Sequence, residues 1–473
     1  MSSSSKARQR ILSLLDENSF VEIGALVTAR ATDFDMKPNK TPSDGVITGY
    51  GVIDGSLVYV FSQDAEVLGG SVGEMHAKKI ANIYQMAMRT GAPVIGLLDS
   101  AGMRLQEGPD TLEAFASLYA KQAQASGLIP TVAAVFGKCG GGLALMPAMA
   151  DFAFMSDDAK LFVNAPNALA GNKEDKNDTS GAACKAAGGS VDGTGSEDEI
   201  LAQIRELISF LPSNNEDEAF VDCIDDINRD SLAIAGGFKD GAVAAADLAD
   251  DGIFVETRKC FAREMVTGFI RLNGQTVGIV ANRSEEYDEN GEKCASYDTV
   301  LTTDGCNKAA RFVRFCDAYE IPIVTLTNVT GFAATEAEEA SVAAAAAGLT
   351  YAFADASVAK INVITGQAIG SAYTVMNAKA TGADLTFALP TARIGIMDSK
   401  LAAKIIADGK SADEIEQTAR DYDALQNGIE SAAARGYVDQ IVAPEDLRRQ
   451  RIGAVEVLYS KREDRPFKKH GSV

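Results

Sequence analysis

The chain has 473 residues, with 44 Lys and Arg against 66 Asp and Glu, a formal net charge of −22. That acidic surplus argues against a nucleic-acid binder or a ligand of anionic membranes, both of which need a basic footprint. A hydrophobic fraction of 46 % with 23 % charged residues is ordinary globular composition, and the length suggests two or three domains.

The Ser-rich start, residues 1–10, has no apolar core of a secretory signal, and no stretch of about 18 apolar residues offers a membrane span. Seven scattered cysteines without a C-x-x-C pair, and only two histidines, His76 and His470, predict a reducing cytoplasmic setting and no metal site.

In chain order, alternating β-branched residues around Asp54-Gly55 predict a hairpin over 45–64. A helix is expected over 73–90. A buried strand over 93–99 then opens into Ser100-Ala101-Gly102. A second helix is expected over 109–126. Another buried strand, 130–136, runs into Gly137-Lys138-Cys139-Gly140-Gly141-Gly142, and a helix begins near Leu143. Strands alternating with helices predict an α/β fold with a mainly parallel sheet. The Gly-, Ser- and Asn-rich residues 167–199 read as a long surface insertion or mobile loop.

The same order returns in the second half: a hairpin over 268–282, a helix over 307–320, a strand over 322–326, Asn328 to Phe332, then a strand over 360–365 and Gly366-Gln367-Ala368-Ile369-Gly370-Ser371-Ala372. Lys79 pairs with Lys308, Pro93 with Pro322, Gly102 with Gly331, Gly137 with Gly366 and Gly141 with Gly370, each 229 residues apart. The hairpins are 219 apart, Gly55 against Gly274, so a ten-residue insertion belongs in 283–305. The pattern predicts a duplicated domain, 1–240 and 250–473, with the seam near 235–251.

Each glycine loop follows a buried strand and precedes a helix. Glycine permits positive φ and close approach, and the first helical amides carry free N–H groups at the positive end of a dipole. Adjacent amides so placed can hold an oxyanion such as an enolate oxygen. There is no G-x-x-x-x-G-K-[ST] phosphate loop and no strand-borne G-x-G-x-x-G. No Ser-His-Asp or Cys-His set can be assembled from two distant histidines, and Cys139 reads as a small buried residue. The base must come from elsewhere, such as a cofactor.

Several passages carry a family resemblance: RILSLLDENSFVE from Arg10, the 44–64 hairpin, GGSVGEMHA from Gly69, GAPVIGLLDSAGMRLQEG from Gly91, residues 126–155, FLPSNN from Phe210, AARFVRFCD from Ala309, and 364–397. Together they resemble the carboxyltransferase subunits of biotin-dependent acyl-CoA carboxylases and decarboxylases, of the propionyl-CoA carboxylase β and methylmalonyl-CoA decarboxylase α type. The likeness covers nearly the whole chain. It implies two tandem crotonase-like β-spiral domains, the first binding acyl-CoA and the second biotin. The active site would form where the first domain of one subunit meets the second domain of another, in a hexameric ring of dimers.

Carried over by position, Gly141 and Gly142 resemble the amides that hold the thioester enolate. Gly370, Ser371 and Ala372 resemble those that hold the biotin ureido oxygen. The resemblance further implies acyl-CoA contacts at Gly102, Gly140, Tyr373 and Thr374, and biotin contacts at Gly331, Phe332 and Ile369. In such enzymes carboxybiotin releases carbon dioxide and the ureido nitrogen takes the α-proton, which accounts for the missing side-chain base. The reverse reaction decarboxylates a malonyl-type thioester. No Ala-Met-Lys-Met-like biotinylation site occurs, so the biotin would arrive on a separate carrier protein. A biotin carboxylase, or a membrane decarboxylase subunit of a sodium pump, would be a further partner.

The chain departs from the family at particular positions. Asn328-Val329-Thr330-Gly331-Phe332-Ala333-Ala334-Thr335 replaces D-V-P-G-F-L-P-G, and Gly366-Gln367 replaces an Arg-Lys pair. Lys138 replaces a proline, and Thr374 an aspartate facing the acyl pocket. Asn164-Ala165-Pro166-Asn167 stands for a Gly-Pro segment.

Arg104 and Lys138 are candidates for the coenzyme A phosphates or are solvated charge, His76 reads as a structural histidine, and the basic cluster 461–470 as a tail or subunit contact. Two rival readings remain open on the residues alone: a biotin-free crotonase-type hydratase or thioesterase, and a non-catalytic scaffold whose Gly366-Gln367 segment no longer serves biotin.

Overall fold

The computed structural model describes residues 5–30, 41–288, 290–463 and 466, which leaves His470 outside the described residues. The chain divides into two units, Met1–Ala219 and Phe220–Val473.

The first unit is an eight-stranded sheet. Its strands are β1 (Val21–Ile23), β2 (Val46–Ile53), β3 (Ser56–Gln63), β4 (Val94–Ser100), β5 (Thr131–Gly140), β6 (Phe152–Ser156), β7 (Lys160–Phe162) and β8 (Gly193–Gly195). The order is β1-β2-β3-β4-β5-β6-β8, with β7 beside the end of β5. β2 and β3 join through Asp54 and Gly55, whose φ values of 48° and 82° give the two left-handed residues of a tight hairpin turn. From β3 onward the pairing is parallel. The helices are α1 (Lys6–Leu14), α2 (Glu74–Thr90), α3 (Pro109–Ala125), α4 (Leu145–Met149), α5 (Asn172–Asp175), α6 (Ala182–Ala187) and α7 (Glu197–Phe210). α2 buries Ile80, Ile83, Tyr84 and Ala87 at helical spacing against the sheet and ends on left-handed Gly91.

The second unit repeats this arrangement. Its strands are β9 (Val255–Thr257), β10 (Met265–Leu272), β11 (Gln275–Asn282), β12 (Glu285–Tyr287), β13 (Lys293–Ser296), β14 (Val300–Leu301), β15 (Ile323–Val329), β16 (Gly331–Phe332), β17 (Lys360–Ile369), β18 (Leu385–Ala388), β19 (Arg393–Gly395) and β20 (Gln440–Ile441). The main sheet runs β9-β10-β11-β15-β17-β18-β20, with β19 beside the end of β17. That order matches the first sheet strand for strand, and the hairpin turn at Asn273-Gly274 again has two positive φ values, 51° and 82°. The extra residues expected in 283–305 form the β12–β13 hairpin. The helices are α8 (Leu232–Ala235), α9 (Gly241–Leu248), α10 (Thr303–Ala318), α11 (Glu336–Glu339), α12 (Val342–Asp355), α13 (Gly370–Val375), α14 (Ser399–Ile406), α15 (Ala412–Tyr422), α16 (Ile429–Ala434) and α17 (Leu447–Leu458).

The duplication extends to side-chain chemistry. Lys79 on α2 is buried and donates to the Ser43 carbonyl at 2.9 Å. Lys308 on α10 is buried and donates to the Phe261 and Ala262 carbonyls at 2.8 and 3.4 Å. The lysines stand 229 residues apart, and Ser43 and Ala262 stand 219 apart. The helix offset and the hairpin offset therefore meet in one repeated contact. Burial pulls both ammonium groups down to about 8.

Residues 167–199, expected as a long surface insertion or mobile loop, carry regular elements instead of a loop. They hold α5, α6 and the edge strand β8, which pairs with β6 at Phe154–Gly193. Asp192 accepts the Ala153 N–H at 2.8 Å, and a capping box of Ser196 and Glu199 starts α7. Small residues hid the strand, because the ladder is built from backbone groups that leave no side-chain period. The division between units also lies upstream of the expected seam. Residues 221–231 belong to the second unit: the Val221 N–H donates to the Gly274 carbonyl at 3.0 Å, and buried Arg448 reaches the Asp226 carbonyl at 2.6 Å and Asp225 at 3.2 Å.

Candidate functional site

Both glycine loops sit where a central parallel strand outruns its neighbours. β5 continues past the expected end at Phe136 because Lys138, Cys139 and Gly140 pair with β7. β17 continues to Ile369 by pairing with β19. Each strand then turns on a left-handed glycine, Gly141 with φ 62° and Gly370 with φ 65°, directly into helical turns at Gly141–Ala144 and α13. A side chain at either position would be strained by the backbone itself. The amides that follow open a helix and have no intrahelical acceptor.

A matched brace precedes each turn. The β4–β5 and β15–β17 registers break at Leu98–Ser100 and Thr327–Val329. The residues inside these breaks are Asp99 and Asn328, 229 apart. The Asp99 N–H donates to Gln63 at 3.2 Å and the Asn328 N–H to Asn282 at 2.9 Å. Their side chains press on the glycine opposite: a Cβ at Gly137 would lie 1.9 Å from Asp99 Oδ1, and one at Gly366 2.6 Å from Asn328 Oδ1. Gly137 and Gly366 are therefore set by close packing.

Around the first loop, Gly102 (φ 96°) is held by the Val72 N–H, which donates to its carbonyl at 2.8 Å, and it lies against the Gly140 carbonyl. Lys138 is exposed. Cys139 is fully buried, and burial pushes its thiol up to about 12. It is packing, as expected.

Arg104 corrects the expectation of a surface cation. Its side chain is fully buried, with Nη1 2.7 Å from Asp44 and 2.8 Å from Glu107, and Nη2 donates to the Ser71 carbonyl at 2.7 Å. Its charge is spent on two internal carboxylates, so it cannot reach a phosphate from this position. Glu107 also accepts the Glu74 N–H at the start of α2, at 2.6 Å. His76 belongs to the same cluster: Nδ1 meets the Asp44 carbonyl at 2.9 Å and Nε2 meets the Gln63 amide nitrogen at 3.2 Å. These partners assign the proton to Nδ1, and burial holds the ring near 3, far below its ordinary value.

In the second unit, β16 packs against α13 and so brings Gly331 and Phe332, both half-buried, to the loop of Ile369, Gly370, Ser371 and Ala372. Ser371 is exposed and Ala372 is buried. Tyr373 packs on the core of Ile364, Ala368 and Ala392, and burial raises its hydroxyl to about 12. Thr374 is exposed, and its hydroxyl donates to the Ser371 carbonyl at 2.7 Å.

Sequence reasoning missed two supports. The Tyr119 hydroxyl donates to the Gly142 carbonyl at 2.6 Å. Beneath α13 lies a buried polar network absent from the first copy. Thr325 and Thr327 donate to Asn362 Oδ1 at 2.9 and 2.8 Å, and the Asn362 amide donates to the Met376 carbonyl at 3.3 Å. The equivalent first-copy residues are Gly96, Leu98 and Ala133. Comparing the two copies at the 229 offset marks these positions as differing between the copies, and only the fold shows which groups they meet.

Known proteins resemble this chain over nearly its whole length. A family model described as the carboxyl transferase domain matches residues 3–473. The chain is 40 % identical to the propionyl-CoA carboxylase beta chain of Roseobacter denitrificans, over 99 % of this chain and 93 % of that one. It is 38 % identical to the methylmalonyl-CoA decarboxylase subunit alpha of Veillonella parvula, over 99 % and 92 %. A transcarboxylase 12S crystal structure, described as a hexamer with methylmalonyl-coenzyme A and methylmalonic acid bound, superposes with a TM-score of 0.91 at 34 % identity, covering 98 % of this chain and 92 % of that one.

Proposed function

The chain belongs to the carboxyl transferase family, and from that premise we propose that it moves a carboxyl group between biotin on a separate carrier protein and a short acyl-CoA. The observation that carries this reading is the pair of left-handed glycines, Gly141 and Gly370, at the same point of two copies of one sheet. A reaction that places negative charge on two different oxygens needs two such donors, and a single-oxyanion reaction needs only one.

In this reading the first unit takes the acyl-CoA. The Gly141 and Gly142 amides receive the charge that develops on the thioester oxygen as the α-carbon loses its proton or its carboxylate. They act without reorganising, because the strand end and the helical turn already aim them. Gly102 and Gly140 flank that position, and exposed Lys138 is the cation available to a coenzyme A phosphate. The second unit takes the biotin. The Gly370, Ser371 and Ala372 amides hold the ureido oxygen, and Gly331, Phe332 and Ile369 offer backbone and apolar surface beside it. This loop fits the group on its own geometry: a left-handed glycine followed by exposed Ser371 at the start of a helix, with half-buried Phe332 adjacent. When bound, biotin supplies the one-carbon unit and the base that this chain lacks. Tyr373 and Thr374, which follow that loop, are assigned in this reading to the acyl-CoA.

Carboxylation and decarboxylation share one path run in opposite directions, and the relatives include an enzyme named for each. The partners are a biotin carrier with a biotin carboxylase or a membrane decarboxylase subunit, and further copies of this chain in a hexamer like that of the similar transcarboxylase. We place the work in the cytoplasm, or at the membrane periphery when a membrane subunit is the partner.

The test incubates the purified chain with malonyl-, methylmalonyl- and glutaconyl-CoA, with free biotin or biotinylated carrier. Biotin-dependent loss of carboxylate from one of them is expected. Turnover without biotin, or coenzyme A binding without any turnover, overturns the reading.

A further inference from the structure

The first loop has a structural cost that the second does not. It runs through Gly140, Gly141 and Gly142, three residues without a Cβ, and such backbone loses the most conformational freedom on ordering. The second loop has one glycine at its turn, Gly370, followed by Ser371 and buried Ala372.

The two copies differ at the helix beside the loop in the complementary sense. α3 carries Tyr119, whose hydroxyl donates to the Gly142 carbonyl at 2.6 Å. The residue 229 positions on is Gly348 in α12, which has no side chain to donate. Tyr119 is itself held: its ring meets buried Phe115 edge-on, with centroids 6.0 Å apart at 71°. The second copy has Ala344 where Phe115 stands. Thus the flexible glycine run has a rigid aromatic donor reaching its carbonyl from the neighbouring helix, whereas the equivalent Ser371 carbonyl takes only the Thr374 hydroxyl from within its own helical turn.

We propose that Tyr119 is a positioning residue for the first loop, its hydroxyl fixing Gly142 so that the Gly141 and Gly142 amides stay aimed at the thioester oxygen. This rests on the reading of that loop as the acyl-CoA enolate site. The Tyr119 donor joins the Leu145 N–H on the Gly142 carbonyl and further restricts the rotation that three glycines would otherwise allow, and a preorganised oxyanion donor is worth more than one that must be ordered during the reaction. Burial raises the Tyr119 hydroxyl above its ordinary value, so it keeps its proton at neutral pH.

The test is Tyr119→Phe in the full chain, which keeps the ring on Phe115 and removes only the donor. Three quantities are measured: kcat and KM with methylmalonyl-CoA and biotinylated carrier, the melting temperature, and the affinity for a nitronate analogue of the acyl-CoA enolate against that for propionyl-CoA. A kcat lower by about tenfold, KM within about twofold, an unchanged melting temperature and a matching loss of nitronate affinity are expected. Unchanged kcat and nitronate affinity overturn the proposal alone. So does a loss of kcat, KM and melting temperature together, which marks a merely structural role. If the wild-type chain binds the nitronate no better than propionyl-CoA, the enolate reading falls and takes the proposal with it.

Discussion

Asn328 Oδ1 accepts the Gln367 N–H at 2.9 Å, and this contact ties the end of β15 to β17 three residues before Gly370. It falls at the positions where the family resemblance implies an aspartate and an Arg-Lys pair and this chain has Asn328 and Gly366-Gln367. A neutral amide can form it because the interaction needs an acceptor and not a charge.

Asn328→Ala leaves the half-buried Gln367 N–H without its acceptor, at a cost of about 1 kcal/mol, and loosens the second loop. Biotin-dependent turnover is expected to fall about tenfold, while acyl-CoA affinity, read by calorimetry, holds. Asn328→Asp keeps an acceptor oxygen and should retain most of the activity. Equal activity in all three proteins would show that the brace does not set the loop.

Gly141 and Gly370 have φ values that L residues seldom adopt. A Cβ at Gly141 would meet nothing within 4 Å, so Gly141→Ala tests the backbone alone. About 1–2 kcal/mol of strain is expected to flip the turn. The first-loop variant should lose acyl-CoA turnover with little change in melting temperature, and Gly370→Ala should raise the apparent KM for the biotin carrier. Full activity in Gly141→Ala would contradict the assignment of that loop.

Arg104→Met leaves Asp44 and Glu107 facing each other in the interior. Breaking a buried ion pair from one side costs about 3–5 kcal/mol. Urea unfolding should show that loss, whereas the KM for acyl-CoA in the surviving folded fraction should stay within about twofold. A large KM rise with normal stability would restore Arg104 to the coenzyme A phosphates.

His76 is neutral in the fold, held near 3 against an ordinary value of 6.5 by burial and then by the Arg104 charge. Between those values the unfolded chain binds a proton that the folded chain refuses. The contribution to stability is therefore whole above pH 6.5 and is lost as pH falls toward 3. His76→Gln, which keeps an amide donor for Asp44 and an acceptor for Gln63, should flatten the fall in melting temperature between pH 6.5 and 4. His470 is common to both proteins and cancels in the difference. Parallel pH curves for the two proteins would refute the assignment.

The repeat, both hairpins, the buried strands and the two glycine turns were legible because each is local. A left-handed turn favours glycine, or Asn and Asp as at Asn273 and Asp54, and a buried strand demands an apolar run. The loops at Gly141 and Gly370 could accordingly be placed from spacing alone. Residues 167–199 were not legible, because β8 contributes a Gly-Thr-Gly backbone to an edge and no side-chain pattern.

What the amino-acid order alone determined is the duplicated α/β architecture and the position of two left-handed glycine turns at the ends of buried strands. Tertiary structure decided what each charged or polar side chain near those turns does. Arg104 sits two residues from Gly102, as an accessible cation would, and only packing reveals that Asp44 and Glu107 consume its charge. Tyr119 lies 23 residues before the carbonyl it holds, and Asn328 lies 39 before the amide it accepts. The energy of a buried ion pair or hydrogen bond depends on which groups are brought within about 3 Å and shielded from water. That is a property of the assembled sheet, and no spacing along the chain encodes it.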